Sequence, residues 1–355
     1  MKKLKFIART LRGIESIAAS EIQRNFPSAS PQIGHREVRF SAELNQPETI
    51  NLKTIDDLFI LIKEIKGVDH TRNSITFLEE TFLPIDPKFI LHSLSQVRKI
   101  PPRFFFTVVG SFLGKRNYNR FEIEDVIGKR LEEELPGNYQ SSKLGKENPP
   151  YLTFRVHLWD DKGWLGLRLQ EKPLHRRDYK TTSRSGSLHP PLAHAMAFLA
   201  EIKTGQKVID PFCGVGTIPI EAKTLCPTAE VLGLDFESEP LENARQNAHQ
   251  AGIEVEFQQS DAGSLPFPDQ SIDKIISNIP WNHQVDAAGD LRRGLAPFWR
   301  EVNRVLKVDG KAILLTHEQE NEIGQLEDFG LEVTTKREVS LFGKHPEIWE
   351  VVKLW

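Results

Sequence analysis

Cysteine is nearly absent from this sequence. There are two in 355 residues, Cys213 and Cys226, and they make no Cys-x-x-Cys pair and have no histidine cluster beside them. That argues against a disulfide scaffold and against structural zinc, and it fits a reducing compartment. Long apolar runs are missing as well; none approaches the roughly 18–20 residues of a membrane span. The first residues, MKKLKFIARTLRGIE, start basic but lack an apolar stretch and a small-residue cleavage site. No secretory signal is read, and a cytoplasmic location is expected. There is no internal repeat, no low-complexity tract, no Gly-x-Gly-x-x-Gly and no phosphate loop with its Lys-Ser/Thr.

What is present is ordinary globular composition, 39% hydrophobic and 27% charged, at a length that suggests two or three domains. The net charge of −3 argues against a general nucleic-acid binder, but its distribution is uneven. Residues 1–200 carry 31 Lys+Arg against 23 Asp+Glu; residues 201–355 carry 15 against 26. A net +8 half beside a net −11 half points to one part that meets a polyanion and another with a different task, or to charge drifting for solubility.

The first half alternates short strand-like and helix-like pieces. LKFIART and REVRFSAE read as strands, and GIESIAASEIQRNF has Ile14, Ile17, Ala18, Ile22 and Phe26 at helical spacing. Residues 49–65 are mixed. KFILHSLSQV reads as a helix, RFFFTVVGSF as a strand and RFEIEDVIGKRLEEEL as a helix, with 136–150 a long exposed loop. LTFRVHLWDD and KGWLGLRLQ read as a hairpin around Asp160-Asp161-Lys162-Gly163. From about residue 190 strands alternate with helices of 10–15 residues. That pattern predicts βαβ units in a parallel, doubly wound α/β sheet with ligands beyond the carboxyl ends of its strands.

Each of those strand ends offers a distinct group. The first gives Asp210-Pro211-Phe212-Cys213-Gly214-Val215-Gly216-Thr217, where two glycines let backbone pass close to a ligand ahead of a helix N-terminus. The second ends at Asp235 followed by Phe236; an acid there accepts ribose hydroxyls or merely stabilises the next helix through its dipole. The third ends at Asp261-Ala262, where a carboxylate can take an exocyclic amine of adenine. The fourth ends in Ser277-Asn278-Ile279-Pro280-Trp281-Asn282. An amide, a proline without an N–H and an aromatic face suit a planar amino group.

In that order and register the four ends resemble the S-adenosylmethionine-dependent methyltransferases, in particular those acting on exocyclic amino nitrogens of bases. The resemblance implies a Rossmann-like domain over 190–355, with S-adenosyl-L-methionine as cofactor. It implies cofactor contacts from Asp210, Cys213, Gly214, Gly216, Thr217, Asp235, Phe236, Asp261, Ala262 and Asn278, and catalytic roles for Asn278, Pro280 and Trp281. No metal is implied. The family often has glycine where Asn282 stands, a departure that leaves the loop's path and the entry of the base open. The first half resembles proteins with a THUMP domain ahead of this methyltransferase type. That implies a ferredoxin-like region over 1–60, an RNA-binding THUMP domain over 61–168 and a linker over 169–189. In the family the segment before the catalytic domain lies over the cofactor, carried here to His189, Pro190 and Leu192. Lys115, Arg116, Tyr118 and Arg120, with Arg176, Arg177 and Lys180 of the linker, are basic or aromatic groups suited to RNA phosphates and one stacked base. The expected substrate is the acceptor end of tRNA, methylated at guanine N2 at position six, by a monomer. An rRNA guanine-N2 enzyme, a DNA amino-methyltransferase and an RNA-binding protein with an inactive methyltransferase fold are the neighbouring readings.

Overall fold

The computed structural model describes residues 3–43, 51–81, 85–143, 150–182, 186–280, 291, 294–317, 326–341 and 343–354. The chain divides into two compact units: Met1–Arg9, Ala19–Leu52 and Asp56–Leu174 form the first, and Thr10–Ala18, Lys53–Ile55 and His175–Trp355 the second.

The first unit is built on one eight-stranded sheet. Its strands are β1 (Leu4–Arg9), β2 (Gln32–Gly34), β3 (Glu37–Ala42), β4 (Asp57–Lys66), β5 (Phe105–Phe112), β6 (Asn138–Tyr139), β7 (Leu152–Trp159) and β8 (Lys162–Arg168). They lie in the order β2-β3-β1-β4-β8-β7-β5-β6. The expected boundary at 60/61 falls inside β4, which pairs with β1 on one edge and β8 on the other. The sequence hides this strand because Leu58, Phe59 and Ile60 are all buried, so no two-residue alternation shows. The loop expected over 136–150 contains the short β6, which pairs with β5. The expected hairpin forms, with Asp160 and Asp161 as its two-residue turn and Asp160 at φ +46°.

Helices α2 (Asn73–Thr81), α3 (Pro87–Ser95) and α4 (Arg120–Glu134) cover one face of this sheet; α1 is Glu15–Asn25. Leu78, Ile90, Leu94, Ile123, Ile127 and Leu131 pack there against Phe106, Val108, Phe154, Val156, Leu165 and Leu167. α4 begins with a reciprocal cap: Asn119 accepts from the Phe121 and Glu122 amides, and the Glu122 carboxylate accepts from the Asn119 amide.

That cap corrects part of the reading of residues 115–120. Tyr118 offers no stacking face; it is 4% exposed and its hydroxyl donates to the Asp69 carbonyl at 2.6 Å. Arg116 donates to the carbonyls of Val68 (3.0 Å), Asp69 (2.7 Å) and Asp160 (2.9 Å) and to the Tyr118 hydroxyl (2.8 Å). A guanidinium with both terminal nitrogens on backbone carbonyls holds loops together, although its Nε has no partner among the described residues. Lys115 and Arg120 remain exposed. Arg116→Ala is therefore expected to cost about 2–3 kcal/mol in urea unfolding. Loss of tRNA affinity at unchanged stability would restore the RNA role.

The second unit is a seven-stranded sheet in the order β11-β10-β9-β12-β13-β15-β14. Its strands are β9 (Lys207–Asp210), β10 (Glu230–Asp235), β11 (Glu256–Gln259), β12 (Ile272–Asn278), β13 (Leu306–Thr316), β14 (Leu331–Glu338) and β15 (Glu347–Lys353). Helices α5 (Pro190–Leu199), α6 (Thr217–Leu225), α7 (Ser238–Ala251) and α8 (Ala296–Val305) complete it. β11, β10, β9, β12 and β13 run parallel, as expected. The sheet is not parallel throughout, however: β15 and β14 are antiparallel. β14 escapes a sequence reading because LEVTTKRE has two apolar residues; as an edge strand it alternates between covered and exposed positions. The chain winds outward from β9 through β10 to β11, then returns to β12 on the other side of β9. The switch point therefore lies between β9 and β12, where such sheets hold ligands. No described helix is long and apolar enough to cross a membrane.

Candidate active site

The carboxyl ends of β9, β10 and β12 bring Asp210, Asp235 and Asn278 to one edge of the sheet. The glycine-rich turn is held among them. The Gly214 amide donates to Asp235 Oδ2 at 2.8 Å, and the Cys213 amide to the Leu234 carbonyl at 2.8 Å. Gly214 has φ +50° and Gly216 φ +80°, left-handed conformations that favour glycine. At Gly216 a Cβ would also stand 3.0 Å from Ala244 Cβ and 3.0 Å from the Phe257 ring, whereas at Gly214 it would meet open space.

Gly216 is the N-cap of α6, and no side chain caps that end. Thr217 opens the helix with a hydroxyl that is buried and lacks a hydrogen-bond partner among the described residues. Free amide donors, the dipole and an unsatisfied hydroxyl together suit an anionic group such as an amino-acid carboxylate. Asp235 also accepts from the Glu237 amide at 3.0 Å, and beside it Phe236 keeps an open ring, 43% exposed. Asp261 makes a local turn, accepting from the Gly263 amide at 2.8 Å. Ala262 is buried in the apolar core with Ile209, Leu232 and Leu234.

Asp210 is fully enclosed. Its Oδ1 accepts the Ser277 hydroxyl and the Phe212 amide (3.1 Å). Burial raises its carboxyl to about 7, with the Asp235 charge adding and these two hydrogen bonds opposing. The carboxylate thus joins β9, the glycine turn and the residue before Asn278. Cys213 is buried too, and burial holds its thiol well above the ordinary range. It is no nucleophile.

Asn278 shows the most telling feature. Its Oδ1 is buried and accepts no hydrogen bond among the described residues. The Ile279 amide just after it donates to the Leu315 carbonyl at 3.1 Å, which fixes the strand end to β13. A buried amide oxygen without a donor costs roughly 1–3 kcal/mol, a cost a bound N–H would relieve. Pro280 is half-buried; Trp281 and Asn282 lie outside the described residues.

Residues 177–347 match the family described as RMKL-like, methyltransferase domain. Among curated relatives, the Bos taurus protein named U6 snRNA (guanine-N(2))-methyltransferase THUMPD2 is 38% identical over 171 residues, 48% of this chain and 33% of the relative. The chain thus spans about a third of the length of that relative. An Archaeoglobus fulgidus protein named tRNA (guanine(6)-N2)-methyltransferase is 24% identical over 96% of this chain and 90% of its own length. The crystal structure of TrmN from Thermus thermophilus superposes with a TM-score of 0.74 at 25% identity, covering 99% of this chain and 100% of that one.

The second unit also contains residues whose importance the sequence concealed. Glu221, on the second turn of α6, is enclosed by Arg177 (2.9 Å), Tyr179 (2.8 Å) and His194 (2.9 Å). Arg177 donates in addition to the Lys53 carbonyl at 2.7 Å. It is therefore committed inside the domain, which corrects its assignment to RNA; Arg176 beside it is exposed. Asn247 of α7 donates to the Val215 carbonyl in the glycine turn at 3.0 Å and accepts from the Thr182 amide at 3.4 Å. Lys180 donates to the Leu188 carbonyl, and burial lowers its ammonium to about 8. His189 is the N-cap residue of α5, followed by Pro190, and it stacks on His175 at 5.4 Å; Leu192 is in the core. Glu221 offered one signal, an acid inside the apolar helix segment TIPIEA. Its partners stand 27 to 44 residues away, so nothing local names them.

Proposed function

We propose that this protein transfers a methyl group from S-adenosyl-L-methionine to the exocyclic N2 of a guanine in tRNA, at position six of the acceptor stem. It acts as a cytoplasmic monomer that grips the acceptor end through a THUMP-type first unit. The buried, partnerless Oδ1 of Asn278 carries this reading. The name and coverage of the Archaeoglobus relative favour tRNA among RNA substrates.

The cofactor, when bound, supplies an electrophilic methyl on a sulfonium sulfur. The open N-terminus of α6 with Thr217 suits its carboxylate, and Asp235 with the exposed Phe236 ring suits its nucleoside. The guanine amino nitrogen is a poor nucleophile because its lone pair is delocalised into the ring. Asn278 Oδ1 accepts one of its N–H groups and a backbone carbonyl of Ile279–Pro280 the other, which turns the lone pair toward the methyl. Trp281 stacks the base, worth ~1–3 kcal/mol. The nitrogen sheds a proton to water after attack, so positioning suffices and no base with a tuned pKa is required.

Nucleoside mapping of total tRNA and rRNA, after incubation with methyl-labelled cofactor, tests this. N2-methylguanosine in tRNA is expected. Label confined to rRNA, or on a base other than guanine, would overturn the substrate. No label, together with no thermal shift on adding the cofactor, would leave an RNA-binding protein with an inactive fold.

A further inference from the structure

The turn after β9 holds Gly214 and Gly216 in left-handed conformations. Glycine loses more conformational freedom on ordering than any other residue, so such backbone keeps one shape where its peptide groups are tied down. Two ties come from the turn's own amides: Gly214 N–H donates to Asp235 Oδ2 and Gly216 N–H to the Cys213 carbonyl, each at 2.8 Å. A third comes from a side chain on another helix. Asn247 Nδ2 donates to the Val215 carbonyl at 3.0 Å. A carbonyl accepts and cannot donate, so the NH2 end of the amide must face it and the orientation of Asn247 is fixed. The Val215 C=O and the Gly216 N–H belong to one peptide group. That group is bonded at both ends, and it directly precedes the uncapped N-terminus of α6.

Asn247 is 0% exposed and sits on an otherwise apolar face of α7. Leu241, Ala244 and Ala248 of that helix pack with Cys213, Ile220 and Phe257. Ala244 lies three residues before Asn247, on the same side of the helix, and is the residue a Cβ on Gly216 would meet. The helix therefore lies close against the turn, and Asn247 supplies the polar contact there. A buried amide costs free energy unless its bonds are made. Its contacts with the Thr182 amide and carbonyl are long, both 3.4 Å; the better bond is the one to the glycine turn.

We propose that Asn247 is a positioning residue for the cofactor: it holds the Val215–Gly216 peptide group so that the α6 N-terminus stays open to the carboxylate of S-adenosyl-L-methionine, a role that rests on the cofactor reading above. Asn247 acts through the turn. Affinity for the amino-acid end of the cofactor depends on it; affinity for the nucleoside end and the rate of transfer do not.

The test is calorimetry on the full chain with two probes. S-adenosyl-L-homocysteine carries the amino-acid carboxylate and 5′-methylthioadenosine lacks it. Asn247→Ala removes both sets of contacts. Asn247→Asp, when ionised, keeps an acceptor for the Thr182 amide but sets an oxygen against the Val215 carbonyl. Both variants should bind S-adenosyl-L-homocysteine about tenfold more weakly, the order of one buried hydrogen bond, and 5′-methylthioadenosine as the unaltered protein does. In steady state the KM for S-adenosyl-L-methionine should rise, with kcat at saturating cofactor within about threefold. Equal weakening of the two probes would show a general loosening of the site and overturn the role. Unchanged affinity for S-adenosyl-L-homocysteine in a folded variant would overturn it too, as would a fall in kcat at unchanged KM. Weak binding by the alanine variant alone would assign the effect to Thr182, and also overturn it. If the alanine variant does not fold, the isosteric aspartate variant decides. No binding of S-adenosyl-L-homocysteine by the unaltered protein would overturn the cofactor reading itself, and the role with it.

Discussion

Asn278→Ala is expected to lower the methyl-transfer rate by about a hundred- to a thousand-fold, the usual loss when one preorganised polar group at a reacting centre is removed. Cofactor affinity should stay within a few-fold. The argument rests on where Asn278 sits and what it lacks. The strand end is fixed by the Ile279 amide on the Leu315 carbonyl and by the Ser277 hydroxyl on Asp210. The Oδ1 between them is buried and accepts nothing from the described residues. A group held that firmly, and left unsatisfied, is preorganised for a donor that arrives with the substrate. Single-turnover kinetics with saturating cofactor separates this from weaker binding. Asn278→Asp keeps an acceptor at the same place and should retain more activity than alanine, although its charge joins those of nearby Asp210 and Asp235. Turnover within a few-fold of the unaltered protein in Asn278→Ala would remove this residue from the chemistry.

The strand ends were legible for a physical reason. KVID, EVLGLD and KIISN each close a buried apolar run with a polar residue, so the sheet's carboxyl edge can be read as Asp210, Asp235 and Asn278 without knowing the fold. What joins those ends was not legible. The Ser277–Asp210 link spans 67 residues, and the Asn247–Val215 link spans 32. A serine inside an apolar run and an asparagine in an amphipathic helix look like ordinary residues until the strands are laid side by side. The loop at 115–120 shows the converse. Its composition is that of an RNA-binding loop, but backbone carbonyls at Val68, Asp69 and Asp160 reach it only in three dimensions and claim Arg116.

The second large effect is on stability. Glu221→Ala should destabilise the second unit by about 3–5 kcal/mol, because it strands a buried guanidinium and removes the acceptor of a buried phenol. Glu221 is enclosed, yet its carboxyl is held down at about 2. Burial is the largest influence and pushes it up; the His194 hydrogen bond and the Arg177 charge together outweigh that burial. A folded-state value below the ordinary carboxyl value of 4.5 means that the unfolded chain binds the proton first as pH falls. The stabilisation is therefore full above about pH 4.5 and is lost progressively as pH falls from there toward 2. Glu221→Gln keeps the volume and an acceptor but cannot ionise, so its stability should lack that acid-dependent component. Urea unfolding at pH 7 and at pH 3.5 measures both. The gap between the unaltered protein and Glu221→Gln should be wide at pH 7 and should narrow at pH 3.5; an equal gap at the two pH values would show that the charge of Glu221 does not hold Arg177 and α6 together.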